Sequence, residues 1–183
     1  MRNWKKILVC VFTFSLMGGS IMFADSVSQK IKIWINGEEV QDGGYVIDGK
    51  TYVPIREFNG LVNWDANKVK FIKPDVHIFL FKGDTVFGNV NKGKLKFNVF
   101  CQVDNLTAHV SSVKVAITDP SGKVKDIQSQ ELGSDQKDNF WFRTYDFTYD
   151  FKTAGKYIVG FYMKASKNAE YELVAQKVIT ALN

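Results

Sequence analysis

Few side chains in this sequence are of a type that does covalent or acid–base chemistry. There are two histidines, His77 and His109, and two cysteines, Cys10 and Cys101. The histidines form no His-x-His pair, whereas copper and zinc centres need several nitrogen or sulfur ligands held close together. His77 sits within the apolar run 76–81, where a lone histidine reads as a surface residue or a hydrogen-bonded core residue. No Cys-x-x-Cys spacing, Gly-rich phosphate loop or Gly-x-Ser-x-Gly elbow is present. Asp146 and Asp150 lie on the polar side of an alternating pattern, so solvation of a strand accounts for them better than a glycosidase pair does. Asn105-Leu106-Thr107 fits the N-glycosylation tripeptide, a pattern short enough to arise by chance, and no modification is expected. These residues imply no enzymatic activity, no metal and no cofactor.

Aromatic residues on the polar side of strand patterns are the remaining lead. Phe100 has the parity of Lys96, Asn98 and Gln102, opposite the apolar set Leu95, Phe97, Val99, Cys101 and Val103. Phe140 and Phe142 stand opposite Trp141, which shares its parity with Tyr145, Phe147, Tyr149 and Phe151. Tyr162 has the parity of Lys164, and Trp34 lies opposite Ile31, Ile33 and Ile35. Outward rings gathered on one sheet form the kind of exposed apolar patch that marks a sugar-stacking or protein-binding surface. The competing reading is that another part of the chain covers them, or that a bulge changes the register after Phe142. Phe100, Phe140, Phe142 and Trp34 are the candidate binding residues.

Such rings need a scaffold, and the composition provides for one. The chain has 183 residues, 45% hydrophobic and 14% aromatic, with 14 Gly and 3 Pro, which excludes collagen-like, disulfide-scaffold and disordered classes. Its formal charge is +5, from 24 basic and 19 acidic side chains. Arg2, Lys5 and Lys6, however, precede an uncharged apolar run over residues 7–16 that Met17-Gly18-Gly19-Ser20 breaks. That is the layout of a secretory signal peptide, expected over residues 1–24, with cuts after Ser20 or Ser26 as alternatives. With residues 1–24 set aside, 21 basic groups face 19 acidic ones, and a nucleic-acid partner is not expected. Residues 7–24 carry no charge and reach the length of a bilayer span, so membrane contact is expected only if this segment is retained. Cys10 leaves with the signal, and Cys101 has no internal disulfide partner.

Two β-rich modules are expected after the signal. In 27–88, Ile31, Ile33 and Ile35 alternate with Lys32, Trp34 and Asn36, and Asn36-Gly37 and Asp48-Gly49 supply tight hairpin turns. Pro54 ends the strand 51–53 and opens a segment that Gly60 stops within a turn or two. Ile33-Trp34-Ile35-Asn36-Gly37-Glu38-Glu39-Val40, then Ile47-Asp48-Gly49-Lys50-Thr51-Tyr52-Val53-Pro54-Ile55-Arg56, then Asn63-Trp64-Asp65, resembles the copper amine oxidase-like N-terminal domain, or stalk domain, of exported Gram-positive proteins. The stretch between Arg56 and Trp64 is about four residues shorter than that pattern, about one helical turn. The resemblance therefore implies a small α+β domain with one short, stunted helix. It also implies an accessory module, since copper and the tyrosine-derived cofactor belong to a separate catalytic domain with no counterpart here. Arg56 is expected to be structural, bonding to carbonyls or a carboxylate.

In 89–183 the strands lengthen, and about seven candidates indicate an antiparallel β-sandwich. Ala154-Gly155-Lys156-Tyr157 leading into a strand is similar to bacterial immunoglobulin-like or fibronectin-type modules. In that pattern a cysteine follows the tyrosine by two positions, where this chain has Val159; Cys101 is then a small buried hydrophobe. The whole reads as a mainly β, secreted or envelope-associated, non-catalytic binding or spacer protein, with cell-wall polysaccharide or another exported protein as partner. The alternative is an accessory subunit or inhibitor of a separately encoded extracellular enzyme.

Overall fold

The computed structural model describes residues 28–35, 38–65 and 68–183. The expected signal segment with Cys10, and the Asn36-Gly37 turn, lie outside them. The chain divides into two compact units, Met1–Pro54 and Ile55–Asn183.

The described part of the first unit is a set of short strands. β1 (Gln29–Ile31), β4 (Gly44–Ile47) and β5 (Lys50–Tyr52) form an antiparallel sheet in the order β1-β4-β5, while β2 (Trp34–Ile35) pairs with β3 (Glu38–Glu39). Asp48 and Gly49 both have positive φ, 50° and 74°, which is the mirror-image turn that matches strand twist in a two-residue hairpin. The isoleucine alternation from Ile31 to Ile35 is split between two strands. Four steps from Val40 to Gly44 answer two from Ile33 to Ile31, because Ile33 O accepts from Val40 N at 2.8 Å while Ile31 pairs with Gly44. The two extra residues bulge into a turn closed by Gly43 N to Val40 O at 3.0 Å. Gly43 is required there: its φ is 62°, and a Cβ would stand 2.3 Å from Ile31 O.

The second unit begins with Ile55–Glu57, a single 3-10 turn in place of the expected short helix. Only five residues separate Pro54 from Gly60, too few for a stable α-helix. Gly60 is itself pinned, with its N–H on Leu173 O at 3.0 Å and the Phe71 ring 2.6 Å from where a Cβ would stand. The hairpin β6 (Leu61–Asp65) and β7 (Lys68–Ile72) follows. The remaining strands are β8 (Asp75–Lys82), β9 (Thr85–Val86), β10 (Asn89–Asn91), β11 (Gly93–Asp104), β12 (Ser112–Thr118), β13 (Val124–Glu131), β14 (Phe140–Arg143), β15 (Phe147–Phe151), β16 (Gly155–Lys164) and β17 (Glu172–Leu182).

They build a β-sandwich. One sheet runs β10-β17-β16-β12-β13 and the other β14-β11-β8-β9, with β15 continuing beside β11 after β14. Every pairing is antiparallel except β10 with β17. The core fills from alternate positions of both sheets, as the period-2 pattern dictates. Phe97, Val99, Cys101 and Val103 on one side, and Val113, Val115, Ile117, Tyr157, Val159, Phe161 and Met163 on the other, are all buried. Full burial of each large apolar side chain stabilises by about 1.5–3 kcal/mol. At the start of β16, Tyr157 is buried and its hydroxyl donates to Thr153 O at 2.9 Å and accepts from Thr153 N at 3.2 Å.

The sandwich begins earlier in the chain than residue 89. β8 pairs with β11 from Asn98↔Phe81 to Asp104↔Asp75, and its Ile78 and Leu80 join the core. Leu61 and Ile72 join the same core, and Val62 N donates to Glu172 Oε2 at 2.8 Å. Arg56 Nη1 stands 3.9 Å from Glu172 Oε1, a partly exposed ion pair longer than a hydrogen bond. The expected boundary at 88/89 therefore cuts through a continuous core, because strand pairing joins residues that local composition does not relate.

Candidate functional site: an aromatic face on β8, β11 and β14

The outer face of the β14-β11-β8 sheet carries a diagonal row of rings. Cross-strand register sets Phe100 of β11 opposite Phe79 of β8 and Arg143 of β14, and Gln102 opposite His77 and Trp141. Residues paired this way present side chains to the same face. The Phe79 and Phe100 centroids are 6.4 Å apart, and Phe100 stacks on Trp141 at 6.0 Å with 23° between the planes. Trp141 is 68% exposed and Phe79 41%, while Phe100 between them is half-buried.

Trp141 points outward because of one extra residue. Between Phe100↔Arg143 and Phe97↔Phe147, three steps on β11 oppose four on its partner. An unpaired residue in one strand moves every later side chain to the other face. Thr144 fixes this bulge: its N–H donates to Val99 O at 2.9 Å, and its Oγ1, in place of a backbone carbonyl, accepts from Val99 N at 2.9 Å. Both residues are buried. Phe147, Tyr149 and Phe151 thus face the core on odd numbers, whereas before the bulge the even-numbered Phe142 does.

This geometry corrects the expected contact set. Phe100 is on the outer face as expected. Phe142 is not: it is 3% exposed and packs against Phe161 of the opposite sheet at 6.3 Å. Phe140 is half-buried and packs against the same core. Trp34, 57% exposed on β2, belongs to the other unit. Trp141 and Phe79 were missed, the first because its parity was counted through the bulge, the second because 76–81 reads as an unbroken apolar run. Alternation of Ile78 and Leu80 with His77 and Phe79 is the signal that could have found the latter.

Polar groups frame the rings. Arg143 Nε donates to Asn98 Oδ1 at 3.0 Å, and its guanidinium lies 5.5 Å over the Phe81 ring. Asn98 is 4% exposed and its Nδ2 donates to Asp146 Oδ1 at 2.8 Å, while Lys96 Nζ stands 3.5 Å from Asp146 Oδ2. The Asn98 hydrogen bond, then the charges of Lys96 and Arg143, hold the Asp146 carboxyl below the usual carboxylate range against a partial desolvation. At the other end Gln102 Nε2 donates to Asp104 Oδ2 at 2.8 Å, and Asn105 Nδ2 to Asp75 Oδ2 at 3.3 Å.

Among the described residues the histidines and the cysteine stand apart. His77 and His109 are exposed, and among the described residues no three His, Cys, Asp or Glu side chains converge to hold a metal. Burial pushes the Cys101 thiol up to about 12, far from the thiolate a nucleophile needs. An open depression of about 380 Å³ beside β10 has Lys82, Lys92 and Lys94 on its rim and no histidine, cysteine or carboxylate in its lining.

The fold thus defines a mainly β protein built on a β-sandwich. Compared with known protein families and with curated proteins, the chain matches none.

Proposed function

We propose that this chain is an exported, non-catalytic binding protein of a Gram-positive cell envelope, and that its sandwich docks wall polysaccharide on the Phe79–Phe100–Trp141 face. The row of rings carries this reading. Exposed aromatic faces of this size on a rigid sheet are stable in water but gain from being covered. A pyranose ring offers them an apolar C–H face together with hydroxyls for the exposed His77 and Gln102 beside them. Export is supported by the basic and apolar pattern of residues 1–24.

The immunoglobulin-like reading of the sandwich gains support from Tyr157, whose hydroxyl returns to Thr153 as in a tyrosine corner. Cys101 and Val159 occupy the strands, and the spacing from Tyr157, that the inter-sheet disulfide has in that pattern. The stalk-type reading of the N-terminal part gains support from the Asp48-Gly49 hairpin.

Sedimentation of the purified mature protein with isolated cell walls tests the proposal. Covering about 80 Å² of the Trp141 ring is worth about 2 kcal/mol, or roughly thirty-fold in affinity. Wild type should be retained, and Trp141→Ala should be released at least tenfold more readily. Failure of wild-type retention, with an exported enzyme co-purifying from culture medium, replaces this reading with the accessory-subunit one.

A further inference from the structure

Arg143 distinguishes the face from a neutral aromatic platform. Its side chain is exposed, yet two contacts fix it: Nε on Asn98 Oδ1 at 3.0 Å, and the guanidinium plane 5.5 Å from the centre of the Phe81 ring. Asn98 is in turn locked by Asp146, and Asp146 is matched by Lys96 at 3.5 Å. Arg143 forms no carboxylate salt bridge among the described residues, so its terminal nitrogens remain as a planar, pre-oriented donor pair. It stands directly opposite Phe100, and its contacts with Asn98 and Phe81 place the guanidinium at the end of the ring row away from Trp141.

A guanidinium held this way matches a carboxylate, whose two oxygens accept parallel N–H bonds. The other charges on the face reinforce the polarity. Asp75 and Asp104 pair with each other across β8 and β11 at the far end, where they repel an anion. His77 is exposed on β8 opposite Gln102, between the two ends. We infer that the polysaccharide ligand is a polymer of pyranose rings that bear carboxylates, of the uronic-acid kind, with Arg143 reading the acid group of a ring stacked on the aromatic row. This rests on the polysaccharide reading above. Polymers of glycerol or ribitol phosphate carry negative charge too, but their backbones have no pyranose face to lie on Phe79, Phe100 and Trp141.

The experiment compares two probes of one linkage and equal length, a β-1,4-glucuronan oligosaccharide and a cello-oligosaccharide, which differ only in carrying a carboxylate or a hydroxymethyl group at C6, by calorimetry on the mature chain at low ionic strength. Wild type should bind glucuronan about tenfold more tightly, and the preference should shrink at high salt as screening shortens. Arg143→Gln should abolish the preference by bringing glucuronan affinity down to that for the cello-oligosaccharide, and Arg143→Lys, which keeps the charge without the fork, should fall between. Equal binding of both probes by wild type, or a preference that survives Arg143→Gln, overturns the carboxylate assignment and leaves the aromatic platform standing. Tighter binding of a ribitol phosphate polymer than of glucuronan also overturns it. Binding of no probe, together with no wall retention, overturns both. Unfolding midpoints of each variant establish that it is folded, and should Arg143→Gln fail to fold, Arg143→Lys carries the test.

Discussion

Replacing Thr144 with valine should destabilise the sandwich by removing a single oxygen. Thr144 Oγ1 is the acceptor for Val99 N at 2.9 Å, and Val99 is 0% exposed with Thr144 at 5%. Valine has nearly the same shape, so packing is conserved while a buried N–H loses its partner. Leaving such a donor unsatisfied costs about 1–3 kcal/mol. For the unit from Ile55 to Asn183, about 2 kcal/mol corresponds to a fall in Tm of roughly 8 °C. Thr144→Ser keeps the oxygen and loses one methyl, for about 0.8 kcal/mol. Urea unfolding and thermal scans followed by circular dichroism, on wild type and both variants, make the comparison. If Thr144→Val matches wild type, or if serine is as damaging as valine, the oxygen does not hold the bulge and the account of why Trp141 faces outward fails.

Two further outcomes follow from neighbouring features. Phe142→Ala should cost about 3–5 kcal/mol in urea unfolding because it empties a core position, whereas Trp141→Ala, one residue away on the exposed face, should stay within about 0.5 kcal/mol of wild type. Burial raises the Cys101 thiol from 9.0 to about 12, so it should resist an aromatic disulfide reagent at pH 8 until denaturant is added. The same shift sets a pH dependence. Below about pH 9 the thiol is protonated in both states; between there and about 12 only the unfolded chain ionises, so stability should fall with rising pH by up to about 1.4 kcal/mol per unit from this group. Unfolding midpoints of wild type and Cys101→Ala across that range isolate the effect.

Much of the sandwich is legible in the sequence because its signals are local. Alternation in β11, β12 and β16 places Val99, Val115 and Val159 inward without any knowledge of their neighbours. Asp48-Gly49 likewise announces its own turn, since few other residues accept positive φ at both positions. What is not legible depends on partners distant in sequence. Nothing near Ile78 and Leu80 tells that their strand pairs beside one some twenty residues later, so the first sandwich strand reads as part of the preceding module. The bulge at Thr144 is a different difficulty. Counting parity along a strand assumes no inserted residue, and one insertion exchanges Phe142 and Trp141 between core and solvent. The fixed orientation of Arg143 is equally hidden, because it depends on Asn98 and Phe81 arriving from two other strands.

The pairing of β10 with β17 bears on how the molecule responds to force. It is parallel, Asn89↔Thr180 through Asn91↔Leu182, and extends at both ends through Thr180 N to Gly88 O and Lys92 N to Leu182 O, each at 3.1 Å. Tension applied between the start of β10 and the finish of β17 acts at opposite ends of the pair. The strands are then loaded lengthwise, and their hydrogen bonds must yield together instead of opening one after another as in a peeled hairpin. For a load carried between those two points, this short parallel contact acts as a shear lock that keeps the edge of the sandwich closed.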